Sequence, residues 1–263
     1  MENVTTISEK PFWEYKDTSY ADEWFLVGSN SQFFFILSAY LAFVLKVGPS
    51  LMKDRAPFKL TNILLAYNIV QVAVSAYICK LAFGIIYNTI IEEKCIYESD
   101  KLQYKYFYAL HVYTLAKLSE LLDTIFFVLR KKDRQVSFLH VYHHSAVFFY
   151  SWALMSYNRQ AFLSVTVVGF LNSFVHLVMY SYYALSVFPS LAKFLWWKKY
   201  ITKMQMIQFA MIIVYTIYEN TMTTCKLPST LFIHMLANVS LVFILFADFY
   251  RKTYKTSPNA KKK

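Results

Sequence analysis

The sequence predicts an all-α, polytopic membrane protein with seven transmembrane helices. Three observations carry that expectation. Apolar and aromatic residues make up 57% of the 263 residues and charged residues only 16%, well below the roughly 25% of a soluble domain. The apolar residues gather in seven stretches, at 32–48, 60–84, 106–129, 138–157, 161–186, 203–218 and 229–249. Each is near the length of about 20 residues that a helix needs to cross hydrocarbon. The connections between them alternate in charge.

The first stretch is the shortest. The third, fifth and sixth carry polar residues, so a plain hydropathy scan is expected to shorten or merge them. The loop after the first stretch holds Lys46, Lys53, Arg55 and Lys59, and the loop after the third holds Arg130, Lys131, Lys132 and Arg134. Lys193, Lys198, Lys199 and Lys203 follow the fifth, and the tail carries Arg251, Lys252, Lys255, Lys261, Lys262 and Lys263. The other side has only Lys10, Lys16, Lys94, Lys101, Lys105, Arg159 and Lys226. The net charge of +11 is therefore a topology signal rather than a nucleic-acid footprint. It places the tail and the odd-numbered loops in the cytosol and the N-terminus on the lumenal side.

Residues 1–23 are acidic and polar, without a cleavable signal peptide, and read as a lumenal N-terminal arm. Residues 24–255 form one seven-helix transmembrane unit, and 256–263 a basic cytosolic tail. Asn3-Val4-Thr5 is a glycosylation sequon on the lumenal arm; Asn238-Val239-Ser240 is another, but it lies inside the seventh stretch. Cys95 and Cys225 both fall in lumenal loops, where an oxidising compartment can join them. The alternative is two free thiols, and only geometry decides. Cys79 reads as apolar filler.

Ionisable groups inside a bilayer are expensive and need a partner or a task. The third stretch carries Lys117, Glu120 and Asp123. Lys117, Glu120 and Thr124 share a helix face, with Asp123 at its edge. A Lys–Glu pair that only fixes packing explains two of these charges, not three. The fourth stretch opens with His140, His143 and His144, whose spacing puts three imidazoles on one face. That pattern suits metal ligation or acid–base and nucleophilic chemistry; a lone histidine would read as a hydrogen-bonded core residue. Asn172, His176, Tyr180 and Tyr183 in the fifth stretch, and Thr202, Gln205 and Gln208 in the sixth, can extend the same polar lining or serve as interhelical hydrogen bonds. At about 1.5 Å per residue, all four groups fall in the cytosolic half of the membrane. Apolar walls with a polar cluster at one end suit an acyl chain, and basic cytosolic loops suit a phosphate-bearing head group. Together they point to an acyl-CoA.

Four motifs stand in order: Lys117-x-x-Glu120-Leu121-Leu122-Asp123-Thr124, His140-x-x-His143-His144, Asn172-x-x-x-His176-x-x-Met179-Tyr180, and Thr202-x-x-Gln205-x-x-Gln208. With the ending Phe249-Tyr250-Arg251-Lys252-Thr253-Tyr254, they resemble the ELO family of very-long-chain fatty acid elongases, the 3-ketoacyl-CoA synthases, from about residue 24 to 255. The resemblance implies condensation of a long-chain acyl-CoA with malonyl-CoA in the endoplasmic reticulum membrane, giving CO₂, CoA and a 3-ketoacyl-CoA two carbons longer. It implies six helices around an acyl-chain tunnel, with no cofactor and no metal.

On that basis His143 is the expected nucleophile, forming an acyl-imidazole. His140 and His144 orient it or move protons, and His176 assists from the facing helix. Lys117, Glu120 and Asp123 position the box, while Asn172 and Gln208 donate to carbonyl oxygens. Met179-Tyr180-Ser181-Tyr182-Tyr183 and Gln135 resemble the branch acting on polyunsaturated or very long chains. Expected partners are the lipid membrane and the two thioester substrates. Reductases and a dehydratase of the elongation cycle, and a second copy of the chain, are left open. The terminal lysines match a retrieval signal at one position only, so residence in the endoplasmic reticulum rests on the resemblance. Three rivals exist. A two-iron desaturase or hydroxylase also uses His-x-x-His-His but needs about eight histidines, and this chain has six, which still leaves room for a single bound metal. A seven-helix receptor or transporter has no need of a charged cytosolic cluster. A non-catalytic membrane scaffold leaves the buried charges unexplained.

Overall fold

A computed structural model describes residues 18–158 and 160–255. The sequon at Asn3 and the tail 256–263, with Lys261 to Lys263, lie outside the described residues. Seven long helical segments account for most of the rest: α1 (Asn30–Met52), α2 (Thr61–Glu92), α3 (Asp100–Leu129), α4 (Phe138–Ser156), α5 (Leu163–Ser186), α6 (Lys198–Met222) and α7 (Ser229–Tyr250).

Five of these, α1, α2, α5, α6 and α7, are long and apolar enough to cross a membrane. The expected weakness of the fifth and sixth stretches does not materialise, because their polar residues are few against long apolar flanks. The two that fall short are α3 and α4, which hold the charged and histidine residues. Helix α2 runs eight residues past the expected end at 84. Its late polar residues bond within the helix, Asn88 Nδ2 to the Gly84 carbonyl at 2.6 Å and Thr89 Oγ1 to the Ile85 carbonyl at 2.8 Å. Backbone and side-chain polar groups are thus satisfied internally, as hydrocarbon requires.

Local chemistry sets the helix ends. The Ser99 hydroxyl accepts from the Leu102 N–H at the start of α3, and the Ser137 hydroxyl from the His140 N–H at the start of α4. Helix α1 contains one π turn, Phe43–Val47, in which the Gly48 N–H reaches back to the Phe43 carbonyl. Pro49 follows with no N–H to offer, and the wider turn absorbs that break.

Six helices close into a ring: α2 packs on α3, α3 on α4, α4 on α7, α7 on α6, α6 on α5, and α5 back on α2. Helix α1 lies outside it, against α3 and α4. Trp152 fixes that docking. Its ring stacks on Phe33 at 3.9 Å, and its indole N–H donates to the Leu26 carbonyl at 2.9 Å. Leu26 is held at φ 74°, an uncommon backbone state for a bulky residue. At the end of the ring opposite the His box, a Cys95–Cys225 disulfide ties the α2–α3 loop to the α6–α7 loop, with Cα atoms 5.5 Å apart. The two cysteines therefore pair, as the sequence had left to geometry.

Two outcomes test this architecture. A Cβ at Gly48 would come 2.7 Å from Val128 Cγ1 on α3, so Gly48→Ala should lower the unfolding temperature in detergent, through overpacking worth about 1–3 kcal/mol. Cys95→Ser should lower it as well, since losing such a long-range cross-link costs about 2–5 kcal/mol. The same measurement under reducing conditions should bring the parent chain down to the level of the variant.

Candidate active site

The polar residues singled out in the sequence meet at one end of the ring, near the α3–α4 and α5–α6 connections. Lys117 and Glu120 sit one turn apart on α3 and pair face to face. Lys117 Nζ lies 2.8 and 2.9 Å from the two carboxylate oxygens. Glu120 Oε1 also accepts from His176 Nδ1 on α5 at 3.0 Å. All three side chains are buried. A carboxylate can only accept, so the bond to Glu120 draws its proton from His176 Nδ1; Lys117 Nζ lies 3.4 Å from the same nitrogen. The Lys117 ammonium rests over the Tyr113 ring at 4.7 Å, a cation–π contact that adds to the charge pairing.

Asp123 stands one turn beyond Glu120, as Glu120 stands one turn beyond Lys117, and lies within electrostatic reach of both. It accepts from the Tyr180 hydroxyl of α5 at 2.6 Å. Thr124 points outward and pairs with Tyr40 of α1 at 2.8 Å. The α3 face read from the sequence therefore divides between two neighbours: Lys117, Glu120 and Asp123 hold α5, and Thr124 holds α1.

Within the ring lies an apolar cavity of about 140 Å³, lined by residues from all six ring helices. Its polar end is formed by His143 of α4, Asn172 of α5, Gln208 of α6 and Tyr113 of α3. The Tyr113 hydroxyl donates to Asn172 Oδ1 at 3.0 Å, which leaves the Asn172 NH₂ free as a donor. His143 packs between Phe209 and Phe246, with ring centroids at 6.3 and 6.0 Å. Its Nδ1 is buried without a protein partner. His140 and His144 lie beside each other at 4.3 Å, and His144 touches His143 at 5.6 Å. Of the four site histidines, His143 lines the cavity. Among the described residues, no three His, Cys, Asp or Glu side chains are arranged to hold a metal ion.

Some sequence readings find other places. Gln205 turns to Met179 Sδ at 3.7 Å and does not line the cavity, and Tyr183 is exposed. Three residues were missed. Tyr113 gave no signal because it stands one turn before the charged motif. Asn238, read only as an unusable sequon, lines the cavity and accepts from Tyr142 at 2.9 Å. Glu219 lies one residue past the sixth stretch and so passed for a loop. It is buried inside α6, where both carboxylate oxygens accept the Ser164 N–H of the first turn of α5 at 3.0–3.1 Å. A negative charge at a helix N-terminus is favourable. His111, outside any box, bonds to the Phe25 carbonyl at 3.1 Å and stacks on Trp24.

Comparison with known proteins identifies the family. The profile of the ELO: GNS1/SUR4 family matches residues 25–263. The chain is 37% identical over 255 residues to very long chain fatty acid elongase 4 of Mus musculus, covering 95% of this chain and 80% of the relative. It is 37% identical over 239 residues to very long chain fatty acid elongase 2 of the same organism, with 89% and 80% covered. Against human very long chain fatty acid elongase 4 it is 38% identical over 249 residues, with 92% and 77% covered.

The geometry predicts an asymmetric response in the buried cluster. Lys117→Met should strip Glu120 of its cation and destabilise the fold by about 3–5 kcal/mol, since an ion left unpaired in an apolar interior is costly. Lys117→Met combined with Glu120→Leu should recover much of that loss in a thermal melt without restoring any activity.

Proposed function

The chain belongs to the ELO: GNS1/SUR4 family, and from that premise we propose that it is the condensing enzyme of fatty acid elongation, a very-long-chain 3-oxoacyl-CoA synthase. It joins a long-chain acyl-CoA to malonyl-CoA. The products are a 3-ketoacyl-CoA two carbons longer, CO₂ and CoA. The observation that carries the reading is the closed six-helix ring around an apolar cavity whose polar end holds an imidazole beside two carboxamides. Family membership displaces the desaturase and receptor readings.

The residues divide the chemistry between them. The acyl chain fills the cavity, and its thioester carbonyl lies against His143. A ring nitrogen of His143 attacks that carbonyl, the thiolate of CoA leaves with the imidazole proton, and an acyl-imidazole results. The Asn172 NH₂ and the Gln208 carboxamide donate to the oxyanion. Malonyl-CoA then loses CO₂, and the carbon of the resulting thioester enolate attacks the acyl-imidazole. The C–N bond breaks, the 3-ketoacyl-CoA departs, and the released imidazole nitrogen takes up a proton from water, which regenerates neutral His143. His140 and His144 orient the nucleophile and exchange protons with it. Glu120 and Lys117 hold His176 so that its Nε2 serves the malonyl stage, while Asp123 and Tyr180 brace α3 against α5. The reaction uses the two thioesters and no cofactor.

The protein spans the endoplasmic reticulum membrane seven times, with its N-terminus lumenal and its C-terminus cytosolic. The basic odd-numbered loops support this orientation. So does the disulfide, which belongs on the oxidising side with the α2–α3 and α6–α7 loops. Acyl-CoA enters from the cytosol, where those basic loops attract its phosphates. The reductases and dehydratase that complete the cycle act on the 3-keto product.

The test is a condensation assay on the purified protein with labelled malonyl-CoA and a panel of long and very long acyl-CoAs. The expected result is a 3-keto product two carbons longer, reduced at least about 10³-fold in His143→Ala, as for loss of a covalent nucleophile. Incubation with acyl-CoA alone should add one acyl group, located on His143 by mass spectrometry. An adduct on any other side chain would remove His143 from its role.

A further inference from the structure

The cavity has a second end, and its architecture differs from the first. On α3, Tyr113 and Tyr106 both line it. Seven residues apart, they share a helix face about 10 Å from each other along the axis. Tyr113 stands with His143 and Asn172; Tyr106 stands at the far end. Beyond Tyr106 the bundle is sealed. Phe107, Phe162, Ile96 and Leu227 are almost wholly buried with it in one apolar cluster. These residues come from α3 and from the loops before α3, before α5 and before α7, so three connections converge on one plug. The Cys95–Cys225 disulfide fastens two of those loops across the end of the ring. An acyl chain threaded from His143 therefore meets a wall it cannot push aside.

Tyr106 is the part of that wall which faces the chain. It is 2% exposed, and its ring is held edge-on by Phe107 at 5.2 Å. Its neighbours in the lining, Ile85 and Val165, are smaller. Its hydroxyl is turned to the Phe162 backbone, away from the channel axis, so the ring rather than the hydroxyl meets the cavity. Ala109, one turn nearer to His143, also lines the cavity and leaves the channel open at that level.

We propose that Tyr106 is the acyl-length stop of this enzyme: its ring meets the terminal methyl of the acyl chain and sets the longest acyl-CoA accepted, while Ala109 keeps the path to it clear. This rests on the condensing reading above and adds a specificity residue to it. The role is steric. Removing the ring lengthens the channel, placing bulk at position 109 shortens it, and removing only the hydroxyl changes neither.

The experiment uses the full chain in detergent and two readouts. The first is condensation rate against acyl-CoA chain length. The second is thermal stabilisation by unreactive thioether analogues of the same acyl-CoAs, which needs no turnover. Tyr106→Ala should accept and bind acyl chains at least two carbons longer than the parent limit. Ala109→Leu should cut off at least two carbons sooner, and Tyr106→Phe should keep the parent limit. Binding of shorter analogues at parent strength certifies that each variant is folded. Unchanged limits in both Tyr106→Ala and Ala109→Leu would overturn the assignment. So would a shifted limit in Tyr106→Phe, which would give the role to the hydroxyl. Absence of condensation in the parent, with the binding limits moving as described, would leave the length stop standing and refute the condensing reading.

Discussion

The constraint from which the structure follows is that charge placed within an apolar bundle must be matched there. Lys117 and Glu120 neutralise each other along one helix, and Glu120 reaches across to His176 on the next. Neither ion of the Lys117–Glu120 pair could stay buried unmatched without a large cost. That pairing locks α3 to α5 at the level where Asn172 and His143 face the cavity. Tyr113 extends the lock by sitting beneath the ammonium while donating to Asn172. An electrostatic necessity thereby becomes the positioning device for neutral donors.

The ring has a stiff end and a chemical end. Disulfide and aromatic plug seal one; polar residues and basic connections occupy the other. Between them the walls are almost wholly apolar, which suits a ligand whose own polarity is confined to one terminus. Helix α1 takes no part in the ring and is held from outside by Phe33, Trp152, Tyr40 and Thr124. None of its residues lines the cavity, so α1 supports the α3–α4 wall rather than the ligand. A ligand held along such a tunnel is oriented by the walls before its polar terminus reaches the end where His143 lies.

Much of the fold was legible because a membrane imposes a coarse code. Span length, apolar continuity and the side chosen by lysine and arginine are properties of short segments, and they survive without knowledge of neighbours. The helical spacing of His140, His143 and His144, and of Lys117 and Glu120, was legible for the same reason. What misled were properties shared between helices. Asp123 was grouped with Lys117 and Glu120 by its spacing, but its bond to Tyr180 belongs to two helices and was not readable from one. Gln205 shared a motif with Gln208 but not a direction. Glu219 was invisible as a buried group because its compensation, the N-terminus of α5, comes from elsewhere in the chain.

By itself the sequence determined the class of the protein, the approximate spans, the expected sidedness and the set of residues from which a reaction centre could be made. These depend on composition and on the period of one helix. Only the tertiary structure decided the order of helices around the ring, the pairing of Cys95 with Cys225, the choice of His143 as the cavity-facing imidazole, and the presence of Tyr106 at the closed end. Those depend on the rotation and depth of each helix relative to its neighbours. In a bundle where every face is apolar, hydrophobicity scarcely distinguishes one rotation from another. Packing and a few polar contacts between helices make that choice.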